Sequence, residues 1–476
     1  MKTCPYCKKV IEDHWKYCYH CNKPLITNIE NELSRSLMNS YIEPLHYSSE
    51  IEEQVNDELN YSNNFINNDE IERNINEVDA VIKESEILGE FIPGSLLLEK
   101  SSLYYKKRDL TNALKNLNLA LKNFEDEKDL QNEAICHNEA GIIQEDAGYF
   151  DQAIYHFNRA LEILTELKDH EKVIKVLNNL GNIYHLIKDL EHSYKYYQKA
   201  LNLAERKGLI HEEVKSASNL VEVLFLLRDF KRINKILSRN SKFFKENEDI
   251  YGMIQTHIKY GKLYYFMGED YNQSYQSLND ALKLINRIKS KVSVFIKANL
   301  EWECFLYLGK LYLLWDNHIE AENFLLKSLE AIRIFEIGED IKEGIVFESL
   351  AKLYEYKGDY RKSIEYYNLS IDIYDKYGDK SKIAELKTVI ASLYLDFLDN
   401  KSEAIKSFEV ALDIYESLEY IKECADILQS LGDIAIKKGE IDLALSEFRR
   451  ARNFYKELQD DYNVNIITEK INSLSN

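Results

Sequence analysis

The fold is decided by residues 141–161, which read GIIQEDAGYFDQAIYHFNRAL. Gly141 opens an apolar stretch, Gly148 and Asp151 mark a turn, and Ala153 and Phe157 begin a second apolar stretch at helical spacing. Small residues let two helices approach closely, and an aromatic side chain fills the gap that remains. The segment therefore predicts two short antiparallel helices joined by a tight turn.

The same pattern occurs nine times along the chain. Successive small-residue positions, called anchors below, are separated by 40, 40, 40, 40, 48, 42, 40 and 41 residues. A fixed period in this range is typical of stacked supersecondary units, each of which packs against its neighbours. The anchors are Ser101, Gly141, Gly181, Val221, Gly261, Gly309, Ala351, Ala391 and Gly432.

The composition of the 476-residue chain suits such an array. Apolar residues make up 45% of it, which is enough for a continuous buried seam, and all four prolines fall within the first 93 residues. A proline inside a helix costs about 3 kcal/mol, so the absence of proline from residues 94–476 favours an all-helical structure. No apolar stretch is long enough to span a membrane or to act as a signal peptide, and we expect a cytoplasmic protein.

Four of the seven cysteines form two C-x-x-C pairs separated by ten residues. In a reducing compartment such pairs are typical of a tetrahedral zinc site, with a redox-active pair as the alternative. Four thiolates leave no open coordination position, so we expect one structural Zn²⁺ ion. The predicted ligands are Cys4, Cys7, Cys18 and Cys21.

Residues 1–26 resemble the short zinc-ribbon domains found at the N-termini of many prokaryotic proteins. Tyr17 matches the aromatic residue that precedes the second cysteine pair in those domains, whereas Lys8 and Asn22 stand where glycine is usual. Proteins with this domain bind protein or nucleic acid through it, or have no known ligand there, so the resemblance implies a metal and no particular function.

Two kinds of segment flank the repeats. Residues 27–68 are acidic and rich in Asn and Ser, which favours a flexible linker. Residues 69–93 are predicted to form an N-terminal capping helix, because four apolar residues recur at helical spacing, and residues 459–476 a C-terminal one. The apolar residues are Ile71, Ile75, Val78 and Ile82 in the first helix, and Ile466, Ile467 and Ile471 in the second.

The nine units in residues 94–458 resemble the tetratricopeptide repeat (TPR), in its longer form of about forty residues. The resemblance implies an all-α, right-handed superhelical solenoid of antiparallel helix pairs, preceded here by the small Cys4 zinc ribbon. The unit anchored at Val221 departs most from the pattern, because Ile233, Leu237 and Asn240 replace its usual small, aromatic and small residues.

The resemblance also implies a binding surface, since family members bind extended peptides or helices in a groove lined by the first helix of each unit. Polar residues near three neighbouring anchors are the candidates for such contacts, with a merely solvated face as the alternative. These predicted partner-binding residues are Asn138, Glu145, Asn178, Asn182, His185, Ser218 and Glu222.

Catalysis and nucleic-acid binding are disfavoured by the sequence. The chain contains no phosphate-binding glycine loop and no nucleophile elbow, so we expect no enzymatic activity. The net charge of −20 makes nucleic acid or an anionic membrane an unfavourable partner.

The sequence leaves three functional hypotheses open. The first is a non-enzymatic scaffold or adaptor that binds protein or peptide partners in the groove and carries a structural zinc module. The second is a sensor that responds to a peptide by changing its curvature. The third is nucleic-acid binding by the zinc ribbon, for which the five lysines of residues 1–26 are the only support.

Overall fold

The computed structural model describes residues 2–3, 10–11, 68–289, 292, 294–335 and 341–475. The first two segments are short strands, β1 (Lys2–Thr3) and β2 (Val10–Ile11), paired antiparallel with Lys2 opposite Ile11. The four predicted zinc ligands and linker residues 27–67 lie outside the described residues, so the zinc ribbon and the flexible linker remain predictions.

From residue 68 onward, the described chain consists of twenty helices joined by short turns. They are α1 (Asn68–Leu88), α2 (Gly94–Lys106), α3 (Leu110–Glu127), α4 (Leu130–Asp146), α5 (Phe150–Glu166), α6 (His170–Leu186), α7 (Leu190–Lys207), α8 (Ile210–Leu226), α9 (Phe230–Glu246), α10 (Ile250–Met267), α11 (Tyr271–Ile288), α12 (Val294–Leu314), α13 (His318–Phe335), α14 (Ile341–Tyr356), α15 (Tyr360–Lys376), α16 (Lys380–Asp396), α17 (Lys401–Ser417), α18 (Ile421–Lys438), α19 (Ile441–Glu457) and α20 (Asp461–Ser475). This order confirms the predicted helical repeats over the described residues, while the hand of the superhelix remains a prediction.

Many of the turns share one local chemistry. A residue in the left-handed region ends one helix, and an Asp that follows it caps the next. At the end of α3, Lys128 has φ 59°, and Asp129 Oδ1 accepts a hydrogen bond from the backbone N–H of Asn132 at 3.1 Å. A carboxylate at this position satisfies an N–H group that has no partner within the helix. The sequence thus sets the ends of the helices locally.

The anchors lie where the two helices of a unit approach most closely. A Cβ atom built on Gly181 would lie 2.6 Å from the ring of Tyr197, and one built on Gly141 would lie 2.5 Å from the ring of Phe157. Carbon atoms normally approach to about 3.5–4.0 Å, so only glycine fits beside these rings. In the third unit Ser193 Oγ also donates to the carbonyl of Gly181 at 2.9 Å.

The chain divides into two compact units. The first comprises Met1–Tyr307 with Arg333–Gly338, and the second comprises Leu308–Ile332 with Glu339–Asn476. In the first compact unit, α1 packs against α2 and buries the four apolar side chains that the sequence predicts on its inner face. In the second unit, α20 packs against α19 and buries Ile467 and Ile471.

The divergent fourth repeat is well packed. Ile233, Leu237 and Asn240 are all buried, with at most 1% of their surface exposed. Asn240 Nδ2 donates to Ser218 Oγ at 3.0 Å, so an inter-helix hydrogen bond replaces the usual small residue. Within the described part of the chain, no helix is long and apolar enough to cross a membrane.

Candidate partner-binding face

The first helices of repeats 2 to 5, which are α4, α6, α8 and α10, present polar side chains to one another across the repeat boundaries. Asn179 Nδ2 of α6 donates to Asn138 Oδ1 of α4 at 3.2 Å, and Lys262 Nζ of α10 donates to Glu222 Oε2 of α8 at 3.2 Å. We call the polar side chains near the C-terminal halves of these helices the polar row. It consists of Glu145, Asp146, Asn182, His185, Glu222, Lys259 and Lys262.

One end of the polar row is acidic. Asp146 Oδ2 accepts a hydrogen bond from the Tyr105 hydroxyl at 2.6 Å and lies 3.4 Å from Arg108 Nη1. No hydrogen bond or ion pair joins the neighbouring Glu145 carboxylate to any other described side chain. Burial, together with the charge of Asp146, raises the pKa of Glu145 to about 8. Glu145 is half-buried, and a partly desolvated carboxylate with no partner favours its neutral form, or a ligand that supplies a hydrogen-bond donor or a positive charge.

In the middle of the polar row, the Asn182 amide has a hydrogen-bond partner and one ring nitrogen of His185 has none. The Tyr197 hydroxyl donates to Asn182 Oδ1 at 2.6 Å, and both residues are buried. His185 Nδ1, by contrast, is buried and has no hydrogen-bond partner among the described residues. Burial lowers the pKa of His185, so the ring is neutral near pH 7 and able to accept a hydrogen bond as well as donate one.

The other end of the polar row is a cluster of charged side chains that pair with one another. Glu222 forms ion pairs with Lys259 and Lys262, and Lys262 Nζ also lies 3.5 Å from Glu303 Oε1. Burial by itself would raise the pKa of Glu222, but the two lysines outweigh it and hold that pKa well below its usual value. The Lys262 Nζ atom lies 4.6 Å from the centroid of the Phe225 ring. Each charged side chain of this cluster therefore has a partner of opposite charge within the protein.

The clusters belong to one continuous surface. The charges of Glu145 and Glu222 both raise the pKa of the Tyr197 hydroxyl, after the larger effect of its burial. The charge of Glu222 raises the pKa of His185, and the charge of Lys262 lowers it. The groups without an internal partner, Glu145 and His185, thus lie between groups that already have one.

Three of the predicted residues serve the packing between helices. Asn178 is 2% exposed and donates from Nδ2 to Ser216 Oγ at 3.0 Å. Ser218 is also buried, and its Oγ donates to the Val214 carbonyl at 2.9 Å. Asn138 accepts the hydrogen bond from α6 described above. The structure thus brings Glu145, Asn182, His185 and Glu222 together in the polar row and uses the other three for hydrogen bonds between helices.

Several residues of this face were not predicted from the sequence. Lys262 follows its anchor by one residue, exactly as Asn182 and Glu222 follow theirs, so extending the same register by one repeat would have found it. Tyr105 likewise lies four residues after its anchor, in register with Glu145 and His185. Glu303 gave no such signal, because the longer spacing before Gly309 disrupts the register.

Two segments of the chain match the model of a known repeat family. Residues 137–206 and 342–417 match the tetratricopeptide repeat family. The first of these segments contains most of the polar row. No curated protein sequence matches the chain.

Solved structures with a similar arrangement of helices are distant relatives in sequence. A STAND protein with a tetratricopeptide repeat sensor from Pyrococcus horikoshii is 15% identical, with a TM-score of 0.43, over 80% of this chain and 52% of that one. The chain therefore spans about half the length of that protein. The apo form of the quorum sensor NprR from B. thuringiensis is 12% identical, with a TM-score of 0.49, over 77% of this chain and 99% of that one. A Rap protein complexed with Competence and Sporulation Factor is 16% identical, with a TM-score of 0.37, over 82% of this chain and 99% of that one.

Proposed function

We propose that this chain is a non-enzymatic interaction scaffold that binds a peptide or protein partner along the polar row. The tetratricopeptide repeats in residues 137–206 support a binding role for this part of the chain. The observation that carries the proposal is a pair of polar groups without partners, the Glu145 carboxylate and His185 Nδ1, among members of the polar row that are otherwise paired.

The chemistry of these two groups indicates what the partner supplies. A partly buried carboxylate without a hydrogen bond is costly, and a donor from the partner removes that cost. A lysine, an arginine or an N-terminal ammonium group supplies both a donor and a positive charge. His185 then accepts or donates a second hydrogen bond, for example to a peptide backbone.

A peptide selection with the full chain tests this proposal. Peptides selected on the wild-type chain are measured by fluorescence anisotropy against Glu145→Gln and His185→Ala. Loss of one hydrogen bond to a charged group is worth about 1.5–3 kcal/mol, so we expect Glu145→Gln to weaken binding by roughly ten-fold or more.

Glu166→Gln is the matched control, because it removes an exposed carboxylate from α5, a second helix, and should leave the affinity unchanged. Selected peptides that bind all three variants as tightly as the wild type would place the contact surface elsewhere.

The N-terminal segment adds a second element to the proposal. We propose that Cys4, Cys7, Cys18 and Cys21 hold one structural Zn²⁺ ion, supported by their C-x-x-C spacing and by strands that pair on either side of the first two cysteines. Cys136, Cys304 and Cys424 are free thiols, which agrees with a reducing compartment such as the cytoplasm. Metal analysis of the purified chain tests the zinc, and we expect Cys7→Ser to lose it.

A further inference from the structure

Three potential metal ligands meet at the junction between α3 and α4, on different residues from those of the polar row. Glu125 lies in the last turn of α3, and Glu133 and His137 lie one turn apart on α4. One ligand atom from each residue lies within 4.8 Å of the other two. The positions are fixed by the Lys128–Asp129 turn and by the four-residue spacing, which places Glu133 and His137 on one face of the helix.

Glu133 is a buried carboxylate with one distant partner. Its surface is 9% exposed, and its carboxylate accepts no hydrogen bond from any described residue. It forms a 3.9 Å ion pair with Arg159 Nη2, and Nη1 of the same arginine is bonded to Glu162 at 2.5 Å. The carboxylates of Glu133 and of the exposed Glu125 lie close enough to repel each other, and a bound cation would remove that repulsion.

His137 is buried beside a second histidine. It is 4% exposed, and its Nδ1 lies 2.9 Å from Nδ1 of His156. With the proton on His137 Nδ1 and donated to His156, the Nε2 lone pair is available to a metal ion. Metal-binding histidines commonly use their second nitrogen in this way, and the contact fixes the orientation of the ring.

We propose that Glu125, Glu133 and His137 form a binding site for a divalent first-row transition-metal ion. Two carboxylates and an imidazole are ligands that Mn²⁺ and Zn²⁺ both accept, and their two negative charges match the charge of the ion. Bonds of about 2.0–2.2 Å place three ligands of one ion roughly 3–4 Å apart, so side chains that now lie within 4.8 Å of one another need to close by at most about 2 Å. Arg159 is 41% exposed at its side chain and can turn toward Glu162 when the ion enters. The ion would join the first repeat to the second.

Manganese binding, measured by electron paramagnetic resonance on the full chain, tests the site. Mn²⁺ prefers oxygen and nitrogen ligands to thiolates, so its signal reports on this cluster and not on the four N-terminal cysteines. We expect about one Mn²⁺ ion per chain, displaced by Zn²⁺ in accordance with the general order of metal affinities. Glu133→Gln and His137→Ala should each weaken manganese binding by at least ten-fold.

Two further variants make the outcome decisive. Glu125→Gln changes an exposed side chain and cannot disturb the core, so it should weaken manganese binding while leaving the circular dichroism spectrum unchanged. Glu127→Gln is the matched control, because it removes another exposed carboxylate from the last turn of α3 without removing a ligand, and it should leave manganese binding unchanged. A wild-type chain that binds no Mn²⁺, or Glu125→Gln and Glu133→Gln chains that bind it as tightly as the wild type, would overturn the proposal.

Discussion

Replacing Gly181 by alanine should loosen the third repeat specifically. The added Cβ would lie 2.6 Å from Cδ1 and Cε1 of Tyr197, whereas carbon atoms normally approach to about 3.5–4.0 Å. The ring must therefore move by about 1 Å within a packed interior, and such overpacking costs about 1–3 kcal/mol. Movement of the ring also breaks the 2.6 Å hydrogen bond from the Tyr197 hydroxyl to Asn182, worth about 1 kcal/mol.

The helix propensity of alanine offsets part of this loss. Alanine is favoured over glycine in a helix by about 1 kcal/mol, which leaves a net local destabilisation of about 2 kcal/mol. Hydrogen exchange measured by mass spectrometry is the appropriate assay, because repeat proteins open locally and a single unfolding free energy does not describe them. Peptides from α6 and α7 should exchange about thirty-fold faster than in the wild type.

Gly344→Ala is the matched control for this experiment. Gly344 is also a helical glycine, but a Cβ there would meet its nearest atom at 3.3 Å, close to ordinary contact. We expect that variant to stay within about 1 kcal/mol of the wild type, because the gain in helix propensity offsets the mild crowding. Exchange in α6 and α7 that is unchanged or slower in Gly181→Ala would refute the close-approach argument.

Three further predictions follow from burial and charge. The pKa of Glu145 in the folded chain, about 8, lies above its free value, so the ionised carboxylate destabilises the fold increasingly as the pH rises from about 4.5 to 8. Glu145→Gln should therefore raise the melting temperature at pH 8.5 and have little effect at pH 5. An equal effect at both pH values would contradict the raised pKa. Glu222→Gln leaves Lys259 without its carboxylate partner and should destabilise α8 and α10 locally by about 2 kcal/mol, less than a fully buried pair because Glu222 is 36% exposed. Hydrogen exchange in peptides from α8 and α10 measures this, and unchanged exchange there would show that the ion pair contributes nothing. Burial raises the pKa of three thiols, so an alkylating reagent should modify them only after denaturation, as detected by mass spectrometry. A chelator alone should instead make the four predicted zinc ligands reactive. Modification of the native chain at any of the three buried thiols would contradict their burial. The three are Cys136, Cys304 and Cys424.

The helical repeats were predictable because their signals are local. The anchors, the aromatic residues opposite them and the capping Asp residues each act within one helix pair, so a single repeat contains the information for its own fold. Ser193 and Asn240 show the limit of this reasoning. Both add hydrogen bonds between helices that the small-residue pattern does not reveal, since each bond depends on the exact approach of two backbones.

The candidate site was only partly predictable. Asn178 and Asn182 are four residues apart on α6 and looked equivalent in the sequence, yet one bonds to Ser216 of α8 and the other to Tyr197 of α7. Spacing from the anchor indicates the side of a helix on which a residue lies. It does not indicate which neighbouring helix supplies a partner, because that depends on how successive repeats are offset.

The sequence by itself determined that this chain repeats a helix pair nine times, with glycine or another small residue where the two helices meet. That information lies in a period of about forty residues and in the spacing of side chains along a helix, both of which are local. Only the tertiary structure decided which polar groups are paired and which are not. Glu145 and His185 Nδ1 have no internal partner, and Glu133 has only a 3.9 Å ion pair with Arg159, because the neighbouring helices cover these groups without supplying a closer one. Such covering arises only when the repeats stack.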